Sequence, residues 1–273
     1  MQFHCGKFQF DLSRPLVMGI VNVTPDSFSD GGRHLSTAAA IAHARQLIQD
    51  GADILDIGGE STRPGATVVS VQQELQRVMP VIAALSDAAI PISIDSYKPE
   101  VMRAAIQAGA SMVNDVNALQ DTGALAAVAA SGVAVCLMHK QGTPQTMQQH
   151  PDYRDVVSEV GVFLRDRIAA AEAAGISRGR IVIDPGFGFG KTIEHNLAML
   201  QQLHTLRELG VPVLAGLSRK SMLGVITGRA VEARGAASVA AALIAVQRGA
   251  TIVRVHDVRE TVDALKVWRA VNL

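Results

Sequence analysis

The sequence predicts an α/β fold, a (β/α)8 TIM barrel of parallel strands preceded by an N-terminal β-hairpin. The first observation is that eight short runs rich in Val, Ile and Leu each end on polar side chains. The second is that helix-like segments separate these runs, which is the alternation typical of parallel strands. The third is the length of 273 residues, close to the about 250 residues of such barrels, which predicts a single domain over residues 1–273. The alternative is a doubly wound open sheet, and the count of eight strands favours closure.

The elements can be justified in chain order. Residues 2–12 alternate as a two-stranded hairpin turning at Gly6-Lys7, which we expect to close the bottom of the barrel. The eight runs then end, in order, on Asn22 and Asp26; Asp56, Thr62 and Arg63; Asp95; Asn114 and Asp115; His139; Asp184 and Lys191; Arg219 and Lys220; Arg254 and His256. Because the carboxyl ends of parallel strands meet at one mouth of a barrel, these side chains mark the candidate site.

Glycine marks the ends of the predicted helices. It takes the left-handed conformation without a Cβ clash and is therefore favoured just past a helix end. Such glycines precede five of the runs, at Gly51, Gly109, Gly132, Gly210 and Gly249. At the helix starts, Ser36 is the expected cap of the first helix, and Pro99 is placed in a first turn that follows Ser96.

The composition argues against several classes of function. With 25 basic and 25 acidic residues, the formal net charge is zero and gives no broad attraction to nucleic acid or an anionic membrane. No apolar stretch approaches the roughly 18 residues of a membrane span, and the N-terminus lacks the apolar core of a signal peptide. Cys5 and Cys136 make no disulfide framework. We therefore expect a cytoplasmic protein with small-molecule partners and no nucleic-acid or membrane partner.

The segment 184–192, DPGFGFGKT, looks at first like a nucleotide phosphate loop. A P-loop requires G-x-x-x-x-G-K-[ST], and the position of the first glycine holds Pro185. The dinucleotide spacing G-x-G-x-x-G also fails. We interpret the segment as a loop that aims Asp184 into the mouth and lines it with Phe187 and Phe189. A purely structural turn is the alternative.

Asp95, Asn114 and Asp184 each end a predicted strand and can converge over the barrel. Two carboxylates and an amide suit a heterocycle with several N–H donors, because a carboxylate accepts two parallel hydrogen bonds from an amino-pyrimidinone edge. The alternatives are that the carboxylates bind a metal, or that Asp184 only caps its loop.

Arg254 and His256 stand two apart at the end of the eighth run and so project from one face of the strand. A helix beginning near Asp257 would aim backbone N–H groups at the same place, where barrels often bind phosphate. With Arg63, these residues predict a diphosphate site. A surface ion pair with Asp257 is the alternative.

The remaining candidates lie on loops. Lys220 can donate to a ring carbonyl or nitrogen, and Ser221 either binds a carboxylate or caps the next helix. The polar loops 22–32 and 60–66 are expected to be mobile lids. His139 is interpreted as a packed or hydrogen-bonding residue and not as a base.

Taken together, the motifs resemble the dihydropteroate synthases of the folate pathway. The matching strings are MGIVNVTPDSFSDGG, DIGGESTRPGA, ISIDSYKP, VNDV, MHKQGTPQTMQ, IDPGFGFGK, GLSRKSMLG and RVHDV. They span residues 18 to 258 in order and with family-like spacing. Lys140 and Val255 depart from the family pattern, in which Met and Thr are expected, but neither position carries a predicted chemical role.

The resemblance implies a transferase of tetrahydrofolate biosynthesis. The family joins 6-hydroxymethyl-7,8-dihydropterin diphosphate to 4-aminobenzoate, and the products are 7,8-dihydropteroate and diphosphate. It further implies a Mg²⁺ cofactor, a homodimer, and competition by sulfonamides, which mimic aminobenzoate. Two alternatives stay open: a catalytically silent pterin-binding paralogue and a pterin-dependent methyltransferase domain.

The resemblance also assigns residues by position. Asp95, Asn114, Asp184 and Lys220 match pterin-binding positions, and Met138 and Gly216 would line that pocket. Asn22 matches the metal ligand, and Arg254 and His256 match the diphosphate contacts. The positions around aminobenzoate are matched by Phe28, Thr62, Arg63, Pro64, Phe189 and Ser221. Catalytic roles are expected for Asp95, Lys220, Arg254 and His256.

Overall fold

The computed structural model describes residues 1–24, 33–61, 66–143, 146–147 and 151–272. The strands are β1 (Gln2–Cys5), β2 (Phe8–Asp11), β3 (Leu16–Asn22), β4 (Ile54–Gly58), β5 (Ile92–Asp95), β6 (Met112–Asp115), β7 (Ala134–Met138), β8 (Ile181–Asp184), β9 (Leu214–Ala215) and β10 (Ile252–Val255). The α-helices are α1 (Arg33–Gln49), α2 (Val71–Ala84), α3 (Pro99–Gln107), α4 (Ala124–Ala129), α5 (Val156–Ala173), α6 (Ile193–Gln201), α7 (Ser221–Thr227), α8 (Gly235–Gln247) and α9 (Val258–Asn272).

Strands β3 to β10 form one parallel sheet in the order β8-β7-β6-β5-β4-β3-β10-β9. Its two ends meet, because Ile183 of β8 forms a parallel bridge with Val213, just before β9. The Ile183 N–H also donates to the Pro212 carbonyl oxygen at 3.0 Å. The predicted barrel is therefore confirmed, and the open sheet is excluded.

Alternate strand residues point into the barrel and form its lower apolar layers. These inward residues are Leu16, Met18, Ile54, Met112, Ala134, Cys136, Val182, Leu214 and Ile252. Phe3 and Cys5 of the hairpin belong to the same cluster and have no exposed surface. Because Cys5 pairs directly with Phe8, the hairpin turns at Gly6-Lys7, as predicted. The hairpin thus closes the end of the barrel where the strands begin.

The outward strand residues pack against the helices in a second and larger apolar cluster. This cluster includes Val21, Leu55, Ile94, Val113 and Leu137, which alternate along their strands with the inward set. Such burial of both faces explains why the strands read as continuous apolar runs. In the described ranges, none of the helices is both long enough and apolar enough to cross a membrane.

Two helix starts differ from the sequence prediction, and one agrees with it. Helix α1 begins at Arg33, so Ser36 lies inside it and is not its cap. Helix α3 begins at Pro99, as predicted, and Lys98 occupies its capping position. Ser221 is the first residue of α7, and Lys220 occupies the position before it, where its side chain does not cap the helix.

Candidate active site

The two-residue period of the strands carries polar side chains to the mouth of the barrel. Each stands an even number of positions beyond a strand residue that points inward, so it points inward too. Asp56 follows Ile54 in this way, and Asn114 follows Met112. The same counting brings in Met138, Asp184, Gly216, Arg254 and His256. Asp95 points inward as well, because it stands two positions beyond the buried Ser93, which alternates with the outward Ile92 and Ile94. The predicted site residues on the strands therefore share one mouth.

Arg254 lies at the centre of this group, between two carboxylates. Its Nε donates to Asp56 Oδ2 at 2.6 Å, and its Nη2 donates to Asp95 Oδ2 at 2.7 Å. Asn114 Nδ2 donates to the same Asp56 oxygen at 2.9 Å. The network joins β4, β5, β6 and β10, so four strands hold the side chains in fixed relative positions.

Asp56 is a member of the site to which the sequence analysis assigned no role. It is fully buried, and its Oδ1 atom has no hydrogen-bond partner among the described residues. A buried, unpaired carboxylate oxygen is costly, and it is a natural acceptor for a ligand N–H group. Its position at a strand end is predicted from the sequence, and counting in steps of two from Ile54 adds that its side chain points inward.

Burial controls the charge of the carboxyl groups. It raises the pKa of Asp95 to about 7, against the opposing effect of Arg254 and together with that of Asp56. Burial also raises the pKa of Asp184, whereas the Gly186 N–H, Lys220 and Lys191 lower it. For Arg254, burial lowers the pKa, but Asp56 and Asp95 together raise it above the ordinary value. The arginine is therefore charged, and Asp95 is poised to gain or lose a proton near neutral pH.

The loop after β8 turns back on itself and holds Asp184 in place. Asp184 Oδ1 accepts from the Gly186 N–H at 2.7 Å. Gly186 has φ +68°, and a Cβ there would collide with the His139 carbonyl oxygen, so only glycine fits. Phe189 lies 4.1 Å from Lys220 Nζ, measured to its ring centroid. This contact brings the loops after β8 and β9 together at the mouth.

Phe187 does not line the mouth as predicted. It is 1% exposed and belongs to the apolar cluster between the strands and the helices. Alternation along an irregular loop has no fixed period, and so the direction of this ring could not be predicted from the spacing. Phe189, which is half-buried, remains as an aromatic wall residue.

The ends of β9 and β10 are joined by a serine–histidine contact. Ser218 Oγ lies 2.9 Å from His256 Nδ1 of the ring, and it accepts a hydrogen bond from the backbone N–H of His256 at 3.2 Å. Asp257 pairs with Arg219 at 2.5 Å, so the ion pair between Asp257 and Arg254 that was considered as an alternative does not exist. Arg254 instead faces the two barrel carboxylates.

The other predicted site residues occupy different settings. Ser221 is exposed in the first turn of α7. Asn22 is half-buried at the end of β3, four positions beyond the inward Met18, so it also belongs to the mouth. Phe28, Thr62, Arg63 and Pro64 lie outside the described residues, as does most of both predicted lids. Among the residues that are described, no three His, Cys, Asp or Glu side chains are grouped to hold a metal.

A second charged cluster, which the sequence does not predict, lies beside the mouth. Lys98 Nζ donates to Glu60 Oε2 and, at 2.5 Å, to Glu74 Oε2. The Tyr97 hydroxyl donates to Glu60 Oε1 at 3.1 Å. Because Glu60 stands where loop 60–66 begins, the cluster ties the start of that loop to α2 and to the end of β5.

Comparison with known proteins agrees with this geometry. Residues 18–256 match a family model described as pterin binding enzyme. The chain is similar to a curated dihydropteroate synthase of Escherichia coli strain K12, with 51% identity over 261 residues, covering 95% of this chain and 93% of the relative.

Two solved structures are similar over nearly the whole chain. Xanthomonas albilineans dihydropteroate synthase with 4-aminobenzoic acid is 59% identical, with a TM-score of 0.94 and coverage of 99% of this chain and 98% of that one. The enzyme from the same organism in complex with 7,8-dihydropteroate is 55% identical, with a TM-score of 0.91 and coverage of 100% and 99%.

Proposed function

The chain belongs to the family of pterin-binding enzymes and, within it, to the dihydropteroate synthases, and we propose that its barrel mouth carries out their reaction. It condenses 6-hydroxymethyl-7,8-dihydropterin diphosphate with 4-aminobenzoate and releases diphosphate. The observation that carries this proposal is the convergence of Asp95, Asn114 and Asp184 around Arg254 at one mouth. We further propose that the chain works as one domain.

The pterin would be recognised by the polar floor of the mouth. Asp184 and Asn114 provide acceptors and a donor for an amino-pyrimidinone edge, and Lys220 provides a cation for the ring carbonyl or nitrogen. Met138 and Gly216 would line the pocket, because both lie beside Asp184: Met138 is its partner in the sheet register, and a Cβ at Gly216 would lie 3.9 Å from Asp184 Oδ2. The unpaired Asp56 oxygen supplies one more buried acceptor.

Departure of diphosphate would leave positive charge on the pterinylmethyl carbon. The Asp95 carboxylate stands where it can stabilise that charge, since Arg254 holds it in a fixed orientation at 2.7 Å. The neutral aniline nitrogen of 4-aminobenzoate then attacks, and its proton is lost after the C–N bond forms. The path is SN1-like and has no covalent enzyme intermediate. Arg63, Arg254 and His256 would stabilise the leaving diphosphate.

Mg²⁺ fits the donor set at the mouth. Mg²⁺ keeps several waters and is usually held by one or two protein oxygens together with substrate phosphates. Asn22 offers one such oxygen at the end of β3, and a diphosphate substrate would offer the rest. We propose Asn22 as the protein ligand. When bound, the ion would neutralise charge on the diphosphate.

The aminobenzoate would lie above the pterin, against Phe189 and near Lys220 and Ser221. Phe28, Thr62, Arg63 and Pro64 complete this part of the proposal from the resemblance.

A homodimer and a cytoplasmic location are proposed as well. Exposed apolar side chains on neighbouring helices support the dimer: Val225 and Ile226 of α7, Ile244 of α8, and Val267 and Val271 of α9. Light scattering of an Ile226→Lys variant tests it, and an unchanged mass would contradict this face.

The activity is tested by diphosphate release from the purified protein with the pterin diphosphate and Mg²⁺, in the presence and absence of 4-aminobenzoate. Release that requires 4-aminobenzoate and matches dihydropteroate formation mole for mole is the expected result. Saturable pterin binding without release would instead identify the silent paralogue or the methyltransferase domain.

A further inference from the structure

Lys191 is a buried lysine that the proposed reaction does not use. Its side chain is enclosed, with the residue only 2% exposed, and its Nζ donates to the carbonyl oxygens of Gly186 at 3.0 Å and Phe189 at 3.2 Å. The third neighbour is His139 Nδ1, at 3.0 Å. Because Lys191 donates hydrogen bonds to carbonyl groups of its own loop, it constrains the backbone conformation of that loop.

Other side chains hold the rest of the same turn. The Gly188 N–H donates to Asn196 Oδ1 at 2.7 Å, and Asn196 Nδ2 donates to the Lys191 carbonyl oxygen at 3.2 Å. The Tyr153 hydroxyl donates to the Gly190 carbonyl oxygen at 2.8 Å. The backbone from 186 to 190 is therefore fixed by side-chain hydrogen bonds from Asn196 of α6, from Tyr153 just before α5 and from Lys191 of the loop itself.

The hydrogen bonds of Lys191 suit either protonation state. Burial lowers the pKa of Lys191 to about 7, with Asp184 raising it and Lys220 lowering it. Burial lowers the pKa of His139 to about 3, so its ring is neutral. A charged Lys191 donates to all three neighbours. A neutral Lys191 still donates to both carbonyls and accepts from His139 when Nδ1 carries the proton.

The loop matters because it carries groups of the proposed site. Its Gly186 N–H orients Asp184 at 2.7 Å, and its Phe189 ring lies against Lys220. We propose that Lys191 is a positioning residue that holds this loop where Asp184 meets the pterin and Phe189 meets the aminobenzoate. The inference rests on the proposed function of those two residues.

A Lys191→Met variant tests the proposal, because methionine fills a similar volume and removes a buried charge without requiring a new partner. The measurements are the pterin diphosphate dissociation constant by calorimetry, the KM for 4-aminobenzoate, kcat and the melting temperature. We expect the dissociation constant and the KM each to rise at least about tenfold, with a smaller change in kcat, because small displacements of binding groups are costly. A merely structural role would lower the active fraction and leave both constants unchanged.

Lys140→Met is the matched control, since Lys140 is a half-buried lysine two residues beyond the end of β7, it faces Asp115 and Asp121, and it makes no hydrogen bond to residues 186–190 within the described chain. Wild-type constants in a folded Lys191→Met variant would overturn the proposal. If this variant does not fold, Lys191→Gln replaces it, and loss of folding by both would also overturn the proposal.

Asp184→Asn is measured in parallel. Weak pterin binding by that variant, with normal binding by Lys191→Met, would refute Lys191 alone. Normal binding by Asp184→Asn would refute the site assignment and remove the basis of the inference.

Discussion

Asp95 is under two opposing electrostatic influences. It is ion-paired with Arg254 at 2.7 Å, and yet burial raises its pKa to about 7. A strongly perturbed carboxyl that faces a cleft is a candidate for chemistry, because the surroundings rather than the residue type determine its charge. Here a cationic neighbour and a partly desolvated environment oppose one another, so the carboxylate is available near neutral pH.

An Asp95→Asn variant keeps the shape of the side chain and removes its charge. If the carboxylate stabilises a cationic pterinylmethyl group, kcat should fall by about 10²- to 10³-fold, while pterin affinity changes much less. Steady-state kinetics together with calorimetric titration of the pterin diphosphate measure the two quantities separately. An unchanged kcat would remove Asp95 from the mechanism.

The pH dependence follows from the same group. A carboxyl with a pKa of about 7 is half protonated at neutral pH, and the proposed active form is the carboxylate. We therefore expect kcat/KM to rise with pH up to about 7 and then to level off. The Asp95→Asn variant should lack this rise. An identical profile in the two proteins would assign the pH dependence to a different group.

Among the secondary-structure elements, the junction of β4, α2 and β5 depends on one buried cation. Lys98 is paired with Glu60 and Glu74, and the three side chains are 10%, 10% and 1% exposed. The Oε1 atom of Glu74 has no partner in the described part of the chain. A cluster with two carboxylates and one ammonium cannot lose its cation without leaving buried negative charge uncompensated.

Lys98→Met should therefore destabilise the protein by about 3–5 kcal/mol, the usual cost of removing one member of a buried ion pair. Urea denaturation measures this change in the free energy of unfolding. Adding Glu74→Gln to the variant should recover part of the loss, because it removes the stranded charge. Lys266→Met is the control, since Lys266 and Asp263 form an exposed pair worth about 0–1 kcal/mol. Equal losses in both lysine variants would contradict the expectation.

Across the whole molecule, the two ends of the barrel have separate tasks. The hairpin and the inward apolar layers close the end where the strands begin. The charged network lies at the opposite end, beyond those layers. Because the packed layers stand between them, stability at the bottom and chemistry at the mouth can be altered independently.

Phe3→Ala tests this separation. Phe3 is fully buried against the inward barrel residues, so its truncation should cost about 3–5 kcal/mol of stability. The kcat of the folded fraction should stay near the wild-type value. Gln9→Ala, at an exposed position of the same hairpin, should change stability by no more than about 0.5 kcal/mol. A large loss of kcat in folded Phe3→Ala protein would show that the two ends are coupled.

Much of this architecture could be predicted from local patterns. The eight apolar runs correspond to β3 to β10, the turn at Gly6-Lys7 is present, and the inward polar residues are found at the strand ends. These features depend on the period of a strand and on the chemistry of neighbouring residues, which the order of residues records directly. The family membership follows from the motifs for the same reason, because each motif is a contiguous string.

The pairing of side chains across the barrel could not be predicted in this way. Arg254 was grouped with His256 because they share one strand face, but its partners are Asp56 and Asp95, which are 198 and 159 positions away. The contact between Lys191 and His139 and the burial of Phe187 were equally hidden. Spacing along the chain gives the direction of a side chain within one strand. The distance between side chains on different strands depends on register and closure, and these arise only when the whole barrel packs.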